Sequence, residues 1–153
     1  MTSAELYLHL VSVILFFSGM AVAGAAFGEA WTHRRPREIA LILGISRIGV
    51  VLVGVGALAI LATGFSLLDD TGYGLDDGWV AGALGLLISS VLLGWAGGQK
   101  PRQARLLAER LADEADSPSD ELDRLLRERP ALVANVLAAA ATFAALALMV
   151  WKP

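Results

Sequence analysis

The sequence predicts an all-α protein, an integral membrane four-helix bundle with both termini outside and a cytoplasmic amphipathic helical hairpin between helices 3 and 4. Three observations predict it. First, 56% of the 153 residues are hydrophobic and the mean hydropathy is +0.64, whereas a soluble domain is nearer 45–50% apolar. Second, the charged residues are 18% of the chain and clustered. They leave four windows almost free of charge: Leu6–Phe27, Ile48–Leu68, Trp79–Trp95 and Ala131–Trp151. A bilayer core needs about 20 apolar residues of helix, with about 17 as the lower limit, and a helix apolar on every side has no face to offer water. Third, the cations gather in alternate connections. The whole chain, 1–153, is read as one membrane domain with spans at about 6–28, 39–68, 79–97 and 131–151 and a cytoplasmic helical segment at about 100–129.

The first span follows Met1–Glu5, which has one acid and no Lys or Arg. With no basic leader, and an apolar run longer than the ~7–15 residues of a signal core, it is expected to be a retained helix. The second begins in "RPREIALILGISRIG", where Pro36 and Glu38 suit a first helical turn. It is either continuous from Ile39 or bent near Gly44, and Arg47 within it is expected to reach back to the cytoplasmic headgroups. The third span is the shortest. The segment after it has two helical signals. "KPRQARLLAERLADEA" sets Leu107 and Leu111 against charges. In "SPSDELDRLLRER", Ser117, Pro118 and Asp120 form a cap, first turn and capping box, with Leu122, Leu125 and Leu126 as the apolar face. The fourth span is rich in alanine.

Orientation follows from charge. Arg34, Arg35, Arg37 and Arg47 belong to the first connection and Lys100, Arg102, Arg105, Arg110, Arg124, Arg127 and Arg129 to the third. The second, "DDTGYGLDDG", has four aspartates and no cation; only Lys152 shares its side. The positive-inside rule puts the first and third connections in the cytoplasm. Tyr7, Tyr73, Trp79 and Trp151 then fall at the outer boundary, and Trp31 and Trp95 at the inner one.

Membrane helices associate by close backbone approach and shared hydrogen bonds. Candidates for that contact are Gly19, the pair Gly24 and Gly28, the run Gly49, Gly56, Thr63 spaced by sevens, and Asn135, Thr142 and Met149 on the last helix. A net charge of -3, mixed in sign, argues against nucleic acid. The absence of cysteine excludes disulfides and thiolate chemistry.

One ionisable side chain interrupts the first window. His9 shares a helical face with Ser12, Phe16, Gly19 and Ala23, so it points toward neighbouring helices. The last helix returns Met149 and Thr142 to a comparable depth. An imidazole and a thioether facing one another suit a haem iron or a copper ion. Met20 is eleven residues from His9, about 16 Å along the helix, and cannot share the ion. His33 stands apart among the arginines.

"LHLVSVILFFSGM", the basic loop after it, "LATGFSLL", the acidic turn and "GWVAGALGLLI" resemble a family of bacterial predicted integral membrane proteins, domain of unknown function two-two-six-nine, over about the first 95 residues. That family is similar in turn to copper-resistance-D-like and HemJ-type four-helix membrane proteins. These have a first-helix histidine with a glycine ten residues later, as His9 and Gly19 stand here. In the HemJ-type enzymes this resemblance associates the histidine with haem b. Phe16 replaces their tryptophan, and the third helix lacks their basic and histidine residues. The resemblance therefore implies the fold and singles out His9 without carrying an activity.

Three functions are weighed. The first is a non-catalytic accessory, assembly or scaffold subunit of a bacterial inner membrane. Its partners would be the bilayer and either a second copy or another membrane protein. The second is a haem- or copper-binding protein using His9 near the outer face. The third, a small-solute transporter, ranks last because the spans offer few polar residues and no inverted repeat is detectable.

Overall fold

The computed structural model describes residues 3–151. They form five helices, α1 (Ser3–Ala30), α2 (Pro36–Thr71), α3 (Gly78–Glu114), α4 (Asp120–Leu126) and α5 (Arg129–Trp151), with no strand among the described residues. Four stretches of helix are long and apolar enough to cross a membrane. Lys152, assigned above to the acidic side, lies outside the described residues.

α1 packs most closely on α2, and α3 on α5. α2 and α3 join the two pairs. The ring of Phe17 meets that of Phe143 at 5.4 Å and closes α1 onto α5. Most of each span faces outward, since only 17–28% of each apolar window is buried inside the chain. Ile14, Leu58, Leu92 and Phe143 are among the exposed large side chains. In water such a surface would be a liability; in hydrocarbon it is the solvated surface.

Helix–helix contacts fix a common register. Glu5 accepts a hydrogen bond from Ser66 at 3.0 Å, His9 meets Thr63, Phe16 lies on Gly56, and Ala23 on Gly49. Each step along α1 is matched by the reverse step along α2. Between α3 and α5, Gly82 faces Leu148, Ser90 faces Ala138, and Lys100 pairs with Glu128 at 3.0 Å. Ile60 and Leu87 share one core cluster. Arg47 stands as far before Ile60 on α2 as Lys100 stands beyond Leu87 on α3, so Arg47, Lys100 and Glu128 share one level. From Arg47 to Ser66 is about 28 Å at 1.5 Å per residue, the thickness of a hydrocarbon core. Trp79 and Trp151 flank the Gly82–Leu148 contact at a common level near Ser66.

α2, with 36 residues, and α3, with 37, are longer than that slab needs. Their excess projects at the basic end. There Phe27, Ala30, Ile39, Leu43, Ala104, Ala108, Leu122 and Leu126 form a second buried cluster. Trp31, expected at the headgroup boundary, packs on this cluster with its ring edge-on to Phe27 at 5.6 Å.

α2 begins at Pro36, where Pro36 and Glu38 suit a first turn, and is a single helix through Gly44. Two other boundaries differ from the sequence expectation. The segment after the third span does not start a new helix at Lys100, because α3 continues through Pro101 to Glu114. An interior proline costs about 3 kcal/mol. Burial of Ala104 and Ala108, both 0% exposed, on α1, α2 and α4 favours continuing the helix past it. α4 starts at Asp120 with Ser119 as its N-cap residue, two positions later than the Ser117–Pro118 start.

The turn between α3 and α4 has a second use. Asp116 takes a left-handed φ of 46° and its carboxylate accepts a hydrogen bond from the Arg37 backbone N–H at 2.9 Å. Arg35, the residue at the N-cap of α2, supplies no side-chain cap. A carboxylate from the far side of the chain therefore caps α2. At the acidic end α2 stops at Gly72, whose φ of 74° suits a residue without Cβ and whose N–H returns to the Leu68 carbonyl.

Candidate functional site

Two clusters of polar side chains lie between the spans. The first is on the α1–α2 seam. Seven-residue spacing puts Gly49, Gly56 and Thr63 on one face of α2, and α1 lies against that face. A Cβ on Gly56 would stand 2.7 Å from the backbone nitrogen of Phe16, and one on Gly19 2.7 Å from the Gly49 carbonyl and the Val53 nitrogen. Backbones this close leave room for only one large polar side chain, near the acidic end. There the imidazole of His9 lies over Gly64, with Cε1 3.6 Å from where a Cβ would be.

His9 Nδ1 is 2.9 Å from Thr63 Oγ1. That hydroxyl has one proton, and it points along its own helix to the Ala59 carbonyl at 2.7 Å. Thr63 therefore accepts and His9 Nδ1–H donates, an assignment made from the hydrogen-bond network. The tautomer follows: Nε2 of a neutral imidazole carries the lone pair. No hydrogen-bond partner engages Nε2 among the described residues. Ser12, one turn further in, donates to the Leu8 carbonyl at 2.7 Å and is thereby satisfied within α1.

The second site is a buried node near mid-depth. Ser90 and Thr142 are 3% and 5% exposed, and their hydroxyl oxygens are 2.6 Å apart. Both reach the Ala138 carbonyl, at 2.9 and 3.0 Å. The Thr142 hydroxyl also lies 3.8 Å from the Met20 sulfur, which brings α1 into the node. Beside it is an apolar crevice of about 30 Å³ bordered by Phe16, Phe17, Leu87, Thr142 and Met149. That is room for about one water.

The remaining candidate residues are placed as follows. Met149 borders this crevice and His9 does not. The structure gives His9 its hydrogen-bond partner on α2. Asn135 reaches across to Gly97 on α3, where its side chain fills the space a Cβ would take. Gly24 and Gly28 are exposed on α1, with nothing within 4 Å of an added Cβ. Arg47 is exposed. No group of three or more His, Cys, Asp or Glu suited to a metal ion occurs among the described residues. His33 hydrogen-bonds the Glu29 carbonyl at 3.1 Å at the end of α1, away from both sites.

The partner of His9 is thus Thr63, a member of the seven-residue pattern on α2, and not a residue of the last helix. Met20, about 16 Å along α1 from His9, contacts Thr142.

Compared with known families, residues 5–153 match a family described as predicted integral membrane protein (DUF2269). The match extends well past the first 95 residues that carried the resemblance. No curated protein and no solved structure matches the chain.

Proposed function

The chain belongs to this DUF2269 family of predicted integral membrane proteins, and from that premise we propose that it is a non-catalytic accessory, assembly or scaffold subunit. In this reading it resides in a bacterial inner membrane with its basic end in the cytoplasm and both termini outside. The charge bias supports that orientation: eleven cations lie at the basic end, and the acidic turn carries aspartates alone.

One observation carries the functional reading. Ser90 and Thr142 pair with one another beside a crevice of only about 30 Å³, and His9 pairs with Thr63. Small-molecule sites are commonly about 300–1,000 Å³. What the bundle offers in quantity is outward surface, including the open Gly24 and Gly28 positions, where a second copy or another membrane protein can approach closely.

The test is native mass spectrometry of the protein released directly from membranes, together with co-purification in mild detergent. The reading expects a colourless, metal-free protein in a defined complex. A monomer with no stoichiometric partner at any detergent concentration contradicts it.

A second reading, in which His9 contacts haem b or copper, is favoured by one feature. Nδ1 is anchored to Thr63, and Nε2 is left with its lone pair, as in histidines that ligate metals. Met149 borders the apolar crevice beside Phe16, whose lining does not include His9. Absorption spectra and metal content of wild type and His9→Ala decide it. A Soret band or stoichiometric copper lost in the variant raises this reading above the first.

A further inference from the structure

Outside the acidic turn, residues 29–129 carry eleven cations and ten carboxylates, a near balance in sequence. The fold separates the two signs by depth. Along α3 at about 1.5 Å per residue, Arg102 and Arg105 lie about 3 and 8 Å past the level of Lys100, whereas Glu109, Asp113 and Glu114 lie about 14, 20 and 21 Å past it. We propose that the membrane-proximal half of this basic end binds anionic phospholipid headgroups of the phosphatidylglycerol type. The inference goes beyond the scaffold reading and does not depend on it.

Three observations support it. The first is the separation itself. Asp116 meets the Arg37 N–H, which sets the α3–α4 turn about 15 Å from the level of Arg47. From that turn the chain returns to Glu128 with Asp120, Glu121 and Asp123 first and Arg124 and Arg127 last. Cations therefore lie toward the slab and carboxylates away from it. At about 0.1 M salt, exposed charges more than about 10 Å apart are largely screened from one another. A headgroup thus meets the near layer and not the net charge.

The second is pairing. Lys100, Arg105 and Arg127 are each held by a carboxylate, of Glu128, Glu109 and Asp123 respectively. Arg47, Arg102, Arg124 and Arg129 are exposed and have no carboxylate partner among the described residues. The third is the outward face of α3. Trp95, 70% exposed, and Arg102 stand seven residues apart on that face, and Leu106, 43% exposed, follows one turn later. A ring at the edge of the hydrocarbon and then a free guanidinium match the order in which a lipid presents its acyl chain and its phosphate. A guanidinium binds phosphate through two parallel N–H bonds. A zwitterionic headgroup brings its own ammonium to the same arginines and loses part of that attraction, which selects an anionic lipid.

The experiment uses full-length protein in dodecyl maltoside. It receives equal additions of phosphatidylglycerol and phosphatidylethanolamine with identical acyl chains, and bound lipid is read by native mass spectrometry. An exposed basic side chain at a membrane surface corresponds to about threefold to fivefold preference for the anionic lipid. Arg102→Gln combined with Arg129→Gln is expected to abolish most of that preference. Arg34→Gln combined with Arg35→Gln removes the same charge from beyond Pro36, about 16 Å or more past the level of Arg47, and should leave the preference unchanged. All four side chains are exposed, and far-UV circular dichroism checks that helicity is kept. If the first variant loses it, the wild-type comparison and the second variant still decide. Equal retention of the two lipids by the wild type overturns the proposal, as does a first variant that keeps its preference. An equal drop in both variants overturns it as well, because net charge and not depth would then be the cause. Displacement of the glycerol lipid by an equal concentration of soluble glycerol 3-phosphate would also overturn it, since the occupant would then be a free phosphate.

Discussion

Placing a side chain at Gly56 should separate α1 from α2. An added Cβ there would lie 2.7 Å from the Phe16 nitrogen, 2.8 Å from its Cα and 2.9 Å from its Cβ. Carbon atoms rest at about 3.5–4.0 Å, so the helices must part by roughly 1 Å. The obstructing atoms are mainly backbone, and Phe16 is itself 1% exposed, so no rotamer change relieves the clash. The same movement opens the close approaches at Gly19 and Gly49 and stretches the His9–Thr63 bond. Overpacking costs about 1–3 kcal/mol and occasionally more. Alanine's better helix propensity returns up to about 1 kcal/mol. The expected net loss is about 1–2 kcal/mol for Gly56→Ala, and about 3 kcal/mol or more for Gly56→Leu, whose extra atoms have no space to enter. The assay is reversible unfolding in mixed dodecyl maltoside and dodecyl sulfate micelles, followed by far-UV circular dichroism. Gly24→Ala is the control, because its Cβ meets nothing within 4 Å; it should be neutral or slightly stabilising. A Gly56→Leu protein that unfolds at the wild-type midpoint would refute the seam.

Three further outcomes follow from the same geometry. Thr142→Val removes the hydroxyl that meets Ser90. Interhelical hydrogen bonds in membranes average about 0.6 kcal/mol, so the same unfolding assay should register a loss well below that of Gly56→Leu. Asp116→Ala takes away the remote cap of α2. It should cost about 1 kcal/mol and speed amide exchange in the first turn, around residues 37–39, while leaving the seam near Gly56 unchanged; equal exchange in both proteins would contradict the cap. Pro101→Ala should leave the helical content unaltered, because α3 already runs through that position; a rise in circular dichroism at 222 nm would mean that the helix is broken there.

The spans were legible because their signal is local and redundant. Each window is an uninterrupted apolar run, and a few misread residues do not change its length against the hydrocarbon thickness. The face of α2 that meets α1 was legible too, since Gly49, Gly56 and Thr63 recur at the same angle around one helix. What lay on the other side of that face was not. Assigning Thr63 to His9 requires the order of helices around the bundle, and apolar periodicity does not encode that order when every face is apolar. The continuation of α3 was hidden by Pro101, whose local cost reads as a stop; the compensation comes from α4 and the ends of α1 and α2, far away in sequence. Asp116 and Arg37 are 79 residues apart, and the only local hint of their contact is that Arg35 is a poor capping residue. The Lys100–Glu128 pair closes a loop of similar obscurity, visible only once α3 and α5 are in register.

Cysteine accessibility in intact membranes tests the account most directly, because the chain contains no cysteine of its own. Single substitutions at Leu58 in mid-span, Leu75 in the acidic turn and Ser117 between α3 and α4 would be exposed to a membrane-impermeant maleimide before and after lysis. The account predicts that Leu75→Cys is labelled from outside, Ser117→Cys only after lysis, and Leu58→Cys under neither condition. Labelling of Leu58→Cys would show water where hydrocarbon is required, and labelling of Ser117→Cys in intact cells would invert the orientation.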